Sequence, residues 1–289
     1  MILNILRNNY LKLFTLIIIS YLIDNLLISS INDPPAWDQG YHLSNVFKMY
    51  NILEDNNIFL FRKFDKLLDI TDSYRGPITY LISALFLKIF NNTYYFAYLS
   101  NQVFNIICIF SIFNLGKILK NEATGLWASI LFTFSTLIVS HRSDFLIDLS
   151  LTAFSTLCLL FLTKWYLDKN NVSKYPLFSG ITLGLIFLTK PTGIILFFFP
   201  CLVIFIKRFI NKNSLILYLN EIIIFLSSFI IFIYPWFSRH WLTIITSTIN
   251  AWNWGVNYQV GIKYNSIKNW FFYFYKLFLI LGFITSSIL

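Results

Sequence analysis

The stretch Pro77-Ile-Thr-Tyr-Leu-Ile-Ser-Ala-Leu-Phe-Leu-Lys-Ile-Phe90 is apolar along almost its whole length. At about 14 residues it nevertheless falls short of the roughly 20 that a helix needs to cross a bilayer. Whether it crosses decides on which face every later connection lies, and the charges discriminate. If it stays on one side and the N-terminus is cytoplasmic, the inner connections collect Arg7, Lys12, Lys117, Lys120, Lys164, Lys169, Lys174, Lys207, Arg208 and Lys212. Only Glu122, Asp168 and the boundary residue Glu221 oppose them. If it crosses, those clusters move outside and the inner side keeps little more than Lys88, Arg142 and Lys190. An inward excess of Lys and Arg sets membrane orientation. The first arrangement is therefore predicted, with residues 77–90 an outer juxtamembrane or re-entrant helix.

Working outward, further apolar segments lie at Leu11–Ser30, Phe96–Ile118, Thr124–Ser140, Phe145–Thr163, Pro176–Thr189, Thr192–Ile206, Ser214–Phe237 and Trp270–Leu289. About eight spans plus outer juxtamembrane helices are expected, in one all-α, polytopic transmembrane bundle over residues 1–289, with 31–76 as the first extracytoplasmic loop. Composition agrees: 57% of residues are hydrophobic and 12% charged, where a soluble domain carries roughly a quarter charged. The net charge of +9 is spread between apolar segments in no basic stripe, so no nucleic-acid partner is read from it. Cys108, Cys158 and Cys201 sit in apolar segments without paired spacing or a nearby His, against both disulfides and zinc. The N-terminal apolar run lacks an Ala-x-Ala cleavage site and is read as a retained first span. The tryptophans Trp236, Trp241, Trp252, Trp254 and Trp270 read as an interfacial belt.

Polar residues concentrate in a few places. After the first span comes Trp37-Asp38-Gln39-Gly40-Tyr41-His42, behind Pro34 and Pro35, which hold the chain extended. If a helix restarts at Trp37, Asp38 and His42 share a face and aim a carboxylate and an imidazole at one point. The plain alternative is a capped, solvated loop entrance. His141-Arg142-Ser143-Asp144-Phe145-Leu146-Ile147-Asp148 places Asp148 inside the start of an apolar run, where an ionisable group is costly unless paired or hydrated. Its structural alternative is an Asp on the helix macrodipole, paired with Arg142. Arg75-Gly76-Pro77 and Lys190-Pro191 each set a cation beside a helix-breaking proline, suited to an anionic headgroup or equally to anchoring at the interface. Asp24 is a lone intramembrane carboxylate for which the sequence names no partner.

Trp37 to His42, Arg75-Gly76-Pro77-Ile78-Thr79-Tyr80, Asp148, and Gly180-Ile181-Thr182-Leu183-Gly184-Leu185 through Thr189-Lys190 together resemble the GT-C membrane glycosyltransferases. The nearest likeness is to the branch of protein O-mannosyltransferases and the lipid A aminoarabinose transferase. The resemblance implies a sugar donor on a polyprenyl phosphate, and a glycan, lipid or protein acceptor whose hydroxyl is glycosylated at the extracytoplasmic face. It implies Asp38, with His42 beside it, as base toward the acceptor, and Asp148 as the second acidic residue. Arg75, Lys190 and Arg142 are the candidates for the phosphate. Asp38 and Asp148 are also the candidate ligands for Mg²⁺ or Mn²⁺, although Gln39 stands where many relatives carry a second acid. Relatives are longer, so the chain, ending within Trp270–Leu289, is read as C-terminally incomplete.

A transporter or flippase subunit is the competing class and would show internal repeats and charges lining a midplane path. No repeat is visible, and most of the acids other than Asp24 gather at one face. An inactive relative is a third reading, against which the presence of Asp38 and Asp148 speaks. The abundance of Asn, Ile, Lys and Phe points to an AT-rich bacterial genome and hence a bacterial inner membrane. With Cys108, Cys158 and Cys201 removed, a membrane-impermeant thiol reagent on intact cells is expected to label Asp38→Cys and Asp148→Cys but not Lys169→Cys. Labelling of the two acidic positions from opposite faces would overturn the topology.

Overall fold

The computed structural model describes residues 9–31, 34–35, 37–70, 75–170, 173–211 and 214–257, together with 267 and 271. Among these residues the regular elements are helices. The first, α1 (Asn9–Ser29), runs for 21 residues, about 32 Å, which matches the hydrocarbon core. Its outward side chains include Phe14, Leu22 and Leu26, exposed in a way that suits lipid and not water.

The polar segment expected as the first loop is itself largely helical. It contains α2 (Trp37–Glu54) and α3 (Leu60–Asp69), followed by α4 (Ile78–Ile89). In α2 the scattered charges hide an apolar stripe, with Leu43, Val46 and Met49 buried. That stripe packs on Tyr80, Ala84 and Leu87 of α4. At 12 residues, α4 reaches only about 18 Å, too short to cross alone, and lies against α2. In α3, Phe59, Leu60 and Phe61 at the start are exposed, whereas Leu67 and Leu68 are buried.

Four candidate spans and a bent one follow among the described residues. Tyr94–Leu119 crosses as α5 (Tyr94–Leu99) and α6 (Asn101–Leu119). α7 (Glu122–Phe134) and α8 (Thr136–Ser143) meet at Ser135 with a bend of 60°. α9 (Ile147–Leu167) then returns through the bundle, and α10 (Tyr175–Phe187) is a shorter apolar helix of 13 residues. A 3-10 turn (Pro191–Phe197) leads into α11 (Phe198–Asn211), and α12 (Leu215–Asn257) carries Pro235 inside it. By length and composition five described helices can cross a membrane, or six counting the bent pair as one span. Of the eight expected, Pro176–Thr189 corresponds to the short α10, and Trp270–Leu289 lies outside the described residues apart from Phe271.

The interior is apolar and aromatic, with Phe104, Cys108, Phe154, Cys158, Trp165 and Phe225 in its largest cluster. Trp236 departs from the expected belt. It is buried, with its ring 6.1 Å from Phe187 and 5.3 Å from His240. Trp241 is half exposed, while the side chains of Trp252 and Trp254 and all of Trp270 lie outside the described residues.

Two buried ion pairs tie the helices. Near one end, Arg208 of α11 forks onto Glu221 of α12 at 2.9 and 2.6 Å, and the Trp165 indole N–H donates to the same carboxylate at 3.1 Å. Deeper in the front of the bundle, Asp24 of α1 meets the Arg142 Nε at 3.0 and 2.8 Å, both side chains fully buried. Gln102 also donates to Asp24, and Arg142 donates to the Thr133 carbonyl. That carbonyl belongs to the last turn of α7, where a helix end leaves acceptors without intrahelical donors. The guanidinium thereby closes the gap opened by the bend.

Removing one member leaves a charge buried alone, which costs about 3–5 kcal/mol. Arg142→Ala is expected to lower the thermal unfolding midpoint in lipid nanodiscs sharply. The double variant Asp24→Leu/Arg142→Met should recover most of the loss.

Candidate functional site

Asp38 lies in the first turn of α2, and Arg75 reaches it with Nη2 3.3 Å from Oδ1. The same guanidinium lies over the Tyr41 ring, 5.2 Å from its centre. Tyr41 sits three residues after Asp38, so both fall on one helix face.

From Arg75 the chain runs alongside the end of α10. The Gly76 N–H donates to the Thr189 carbonyl at 3.1 Å, and the Ile78 N–H donates to the Leu188 carbonyl at 3.2 Å. The approach is close enough that a Cβ on Gly76 would lie 1.9 Å from the Leu188 oxygen. Only glycine fits there. Directly after Thr189 comes Lys190, whose ammonium stands 3.8 Å from Asp148 Oδ1 in the first turn of α9. Thr79 and Ser150 share a hydrogen bond of 2.6 Å between α4 and α9. One backbone seam thus joins the Asp38–Arg75 pair to the Asp148–Lys190 pair, although the four residues are distant in sequence.

The carboxylates are open to their surroundings, Asp38 at 66% and Asp148 at 46%, and Lys190 is 38% exposed. Arg75 is the more buried member of its pair, at 13%, whereas a pair exposed on both sides, as Asp148–Lys190 is, contributes at most about 1 kcal/mol. An incoming anion can therefore separate that exposed pair at little cost, and charge-assisted contacts to a phosphate would replace it.

His42 does not join this group. It is buried, with Nδ1 2.7 Å from the Tyr80 hydroxyl and its ring stacked on Tyr80. A helix does restart at Trp37, but the stripe that docks α2 on α4 takes His42 inward and leaves Asp38 outside. Arg142 likewise turns away from the expected phosphate set, because Asp24 holds it within the bundle. It is also not the partner of Asp148. The pairing it makes supplies the partner of Asp24 and leaves that carboxylate engaged.

Sequence reading missed Tyr41, Tyr80 and the seam. The available signal was the repetition of a cation next to a chain-breaking residue, at Arg75-Gly76-Pro77 and at Lys190-Pro191, since such breaks expose backbone groups that must find partners.

The residues do not fit a divalent ion held by the protein alone. Each acid faces a cation, and no group of three or more His, Cys, Asp or Glu side chains is poised to hold a metal among the described residues.

A helical bundle with lipid-facing apolar surfaces and a charged seam gathered from four helices defines a multi-pass membrane protein with a polar site at one end. A family model described as dolichyl-phosphate-mannose-protein mannosyltransferase matches residues 74–236, more than half of the chain. The chain belongs to that family, and it is a membrane glycosyltransferase of the GT-C type. No curated protein and no solved structure matches it. The matched stretch includes Arg75, Asp148 and Lys190 and begins after Asp38.

Gly76→Ala is expected to force the seam apart. Overpacking of this kind costs about 1–3 kcal/mol, so the unfolding midpoint in nanodiscs should fall measurably. Gly40→Ala, whose Cβ would meet only the Pro35 carbonyl at 3.3 Å, should disturb the midpoint less.

Proposed function

We propose that the chain transfers a sugar from a polyprenyl-phosphate donor to an acceptor hydroxyl at the extracytoplasmic face of a bacterial inner membrane, its N-terminus being cytoplasmic. The observation that carries this reading is the seam from Gly76 to Thr189, which brings two cations, each beside a carboxylate, to one place.

In the proposed reaction the Asp38 carboxylate takes the proton of the acceptor hydroxyl as its oxygen bonds to the sugar's anomeric carbon. The bond from that carbon to the phosphate oxygen breaks, and the electron pair leaves with the phosphate. Arg75 and Lys190 hold the charge that develops there, released from Asp38 and Asp148 as the donor enters. Asp148 retains Lys190 when no donor is bound and yields it to the phosphate when one is. The donor's lipid tail remains in the bilayer, which the short α10 and the apolar 3-10 turn after Lys190 adjoin. Divalent-ion chemistry is given no step.

The test is transfer from polyprenyl-phosphomannose by the protein in nanodiscs, with product analysed after extraction. Asp38→Asn is expected to lower turnover by roughly a hundredfold or more, with donor KM little changed. Lys190→Ala is expected to raise donor KM, since it removes a ground-state contact to the phosphate. Wild-type turnover in Asp38→Asn would dismiss the base.

A further inference from the structure

Beside the charged seam lies a cavity of about 550 Å³ that the proposed chemistry leaves unused. It opens between the outer end of α1 at Ser29, the extended residues Pro34 and Pro35, and the Tyr94, Tyr95 and Tyr98 rings of α5. We propose that this cavity binds a neutral saccharide, the glycosyl unit that carries the acceptor hydroxyl. The proposal rests on the glycosyltransferase reading for the role of that saccharide, though not for its binding.

Size comes first. Ligand pockets run from about 300 to 1,000 Å³, so the cavity accommodates one or two pyranose rings. Charge comes second. The described lining residues include no cation, so these walls offer a phosphate no compensating charge. An uncharged polyhydroxylated ligand needs none. This separates the cavity from the seam, where both carboxylates and both cations gather.

The walls are also preset. The Tyr98 hydroxyl donates to Gln39 Oε1 at 2.9 Å, and its ring meets Phe145 edge-on at 6.1 Å. The Tyr95 hydroxyl donates to Asn25 Oδ1, with its ring edge-on to Phe96 at 5.1 Å. Tyr94 stands edge-on to Phe47 at 5.0 Å. Prolines fix the opposite wall. Fixed aromatic faces beside phenol and serine oxygens suit a ring that has one apolar C–H face and a polar rim, and they bind it with little ordering cost.

Gln39, which holds Tyr98, immediately follows Asp38. One wall of the cavity, Tyr98, is therefore tied to the residue that follows the proposed base. A saccharide seated on the tyrosines would thus sit near the group that takes its proton.

The experiment is saturation-transfer NMR on the full chain in nanodiscs, free of sugar-headed detergent. The probes are methyl glycosides of mannose, glucose, galactose and N-acetylglucosamine. Binding of radiolabelled polyprenyl phosphate is measured on the same samples. Wild type should transfer saturation to at least one glycoside. Tyr94→Ala, at an exposed position, and Ser29→Trp, which fills the cavity from its rim, should each weaken glycoside binding about tenfold or more, equivalent to about 1.4 kcal/mol. Polyprenyl phosphate binding should stay as in wild type. No transfer to any glycoside, or equal transfer to wild type and both variants, would overturn the saccharide site. Glycoside binding that responds to the variants while polyprenyl phosphate fails to bind would keep the site and remove the transferase reading instead.

Discussion

Asp24 and Arg142 meet with both side chains wholly buried, and much of the front of the bundle is arranged around that contact. In lipid an isolated charge is expensive, so each side chain is tolerable there only because the other is present. Gln102 adds a further donor to Asp24, and Asn105 continues the network to Ser20 at 3.0 Å. The helices α1, α6 and α8 are thereby locked in mutual register. Arg142 also answers the Thr133 carbonyl at the bend, which gives the break in the span a chemical reason.

The lock extends toward the chemistry through Asn101. Its amide donates to the backbone carbonyls of Arg142, at 3.2 Å, and of Asp144, at 2.9 Å. The chain between α8 and α9 is held from below, and α9 begins with Asp148 in its first turn. A pair buried within the bundle thus helps to set where Asp148 emerges. The other acid is placed by a different device, the apolar stripe of α2 against α4, which leaves Asp38 outside and draws His42 onto Tyr80. Rigid packing below and open, paired charge above suits the partner exchange proposed for this site.

Much of this was legible in the residues. Runs of apolar side chains long enough for a bilayer must be helical, because lipid offers the backbone no other partner. The short length of Pro77–Phe90 marked it as something other than an ordinary span, and the helix there is 12 residues long. The pairing of a cation with a chain break at Arg75 and at Lys190 identified both cations of the seam before any geometry was known. Those inferences rest on period, length and charge, which are local properties of the chain.

What local properties leave open is which distant groups meet. Asp24 had no visible partner because Arg142 lies 118 positions away. Nearby Arg142 is the partner that the structural alternative gives Asp148, yet Asp148 meets Lys190, because a buried carboxylate in lipid competes for the guanidinium more strongly than an exposed one does. The helical content of residues 37–69 was masked by charges whose stripe becomes visible only when α4 lies against it. The adjacency of Gly76 and Thr189 depends on a missing Cβ and two backbone bonds. Contacts of that kind are set by packing in three dimensions, where neither spacing nor composition along the chain carries their signature.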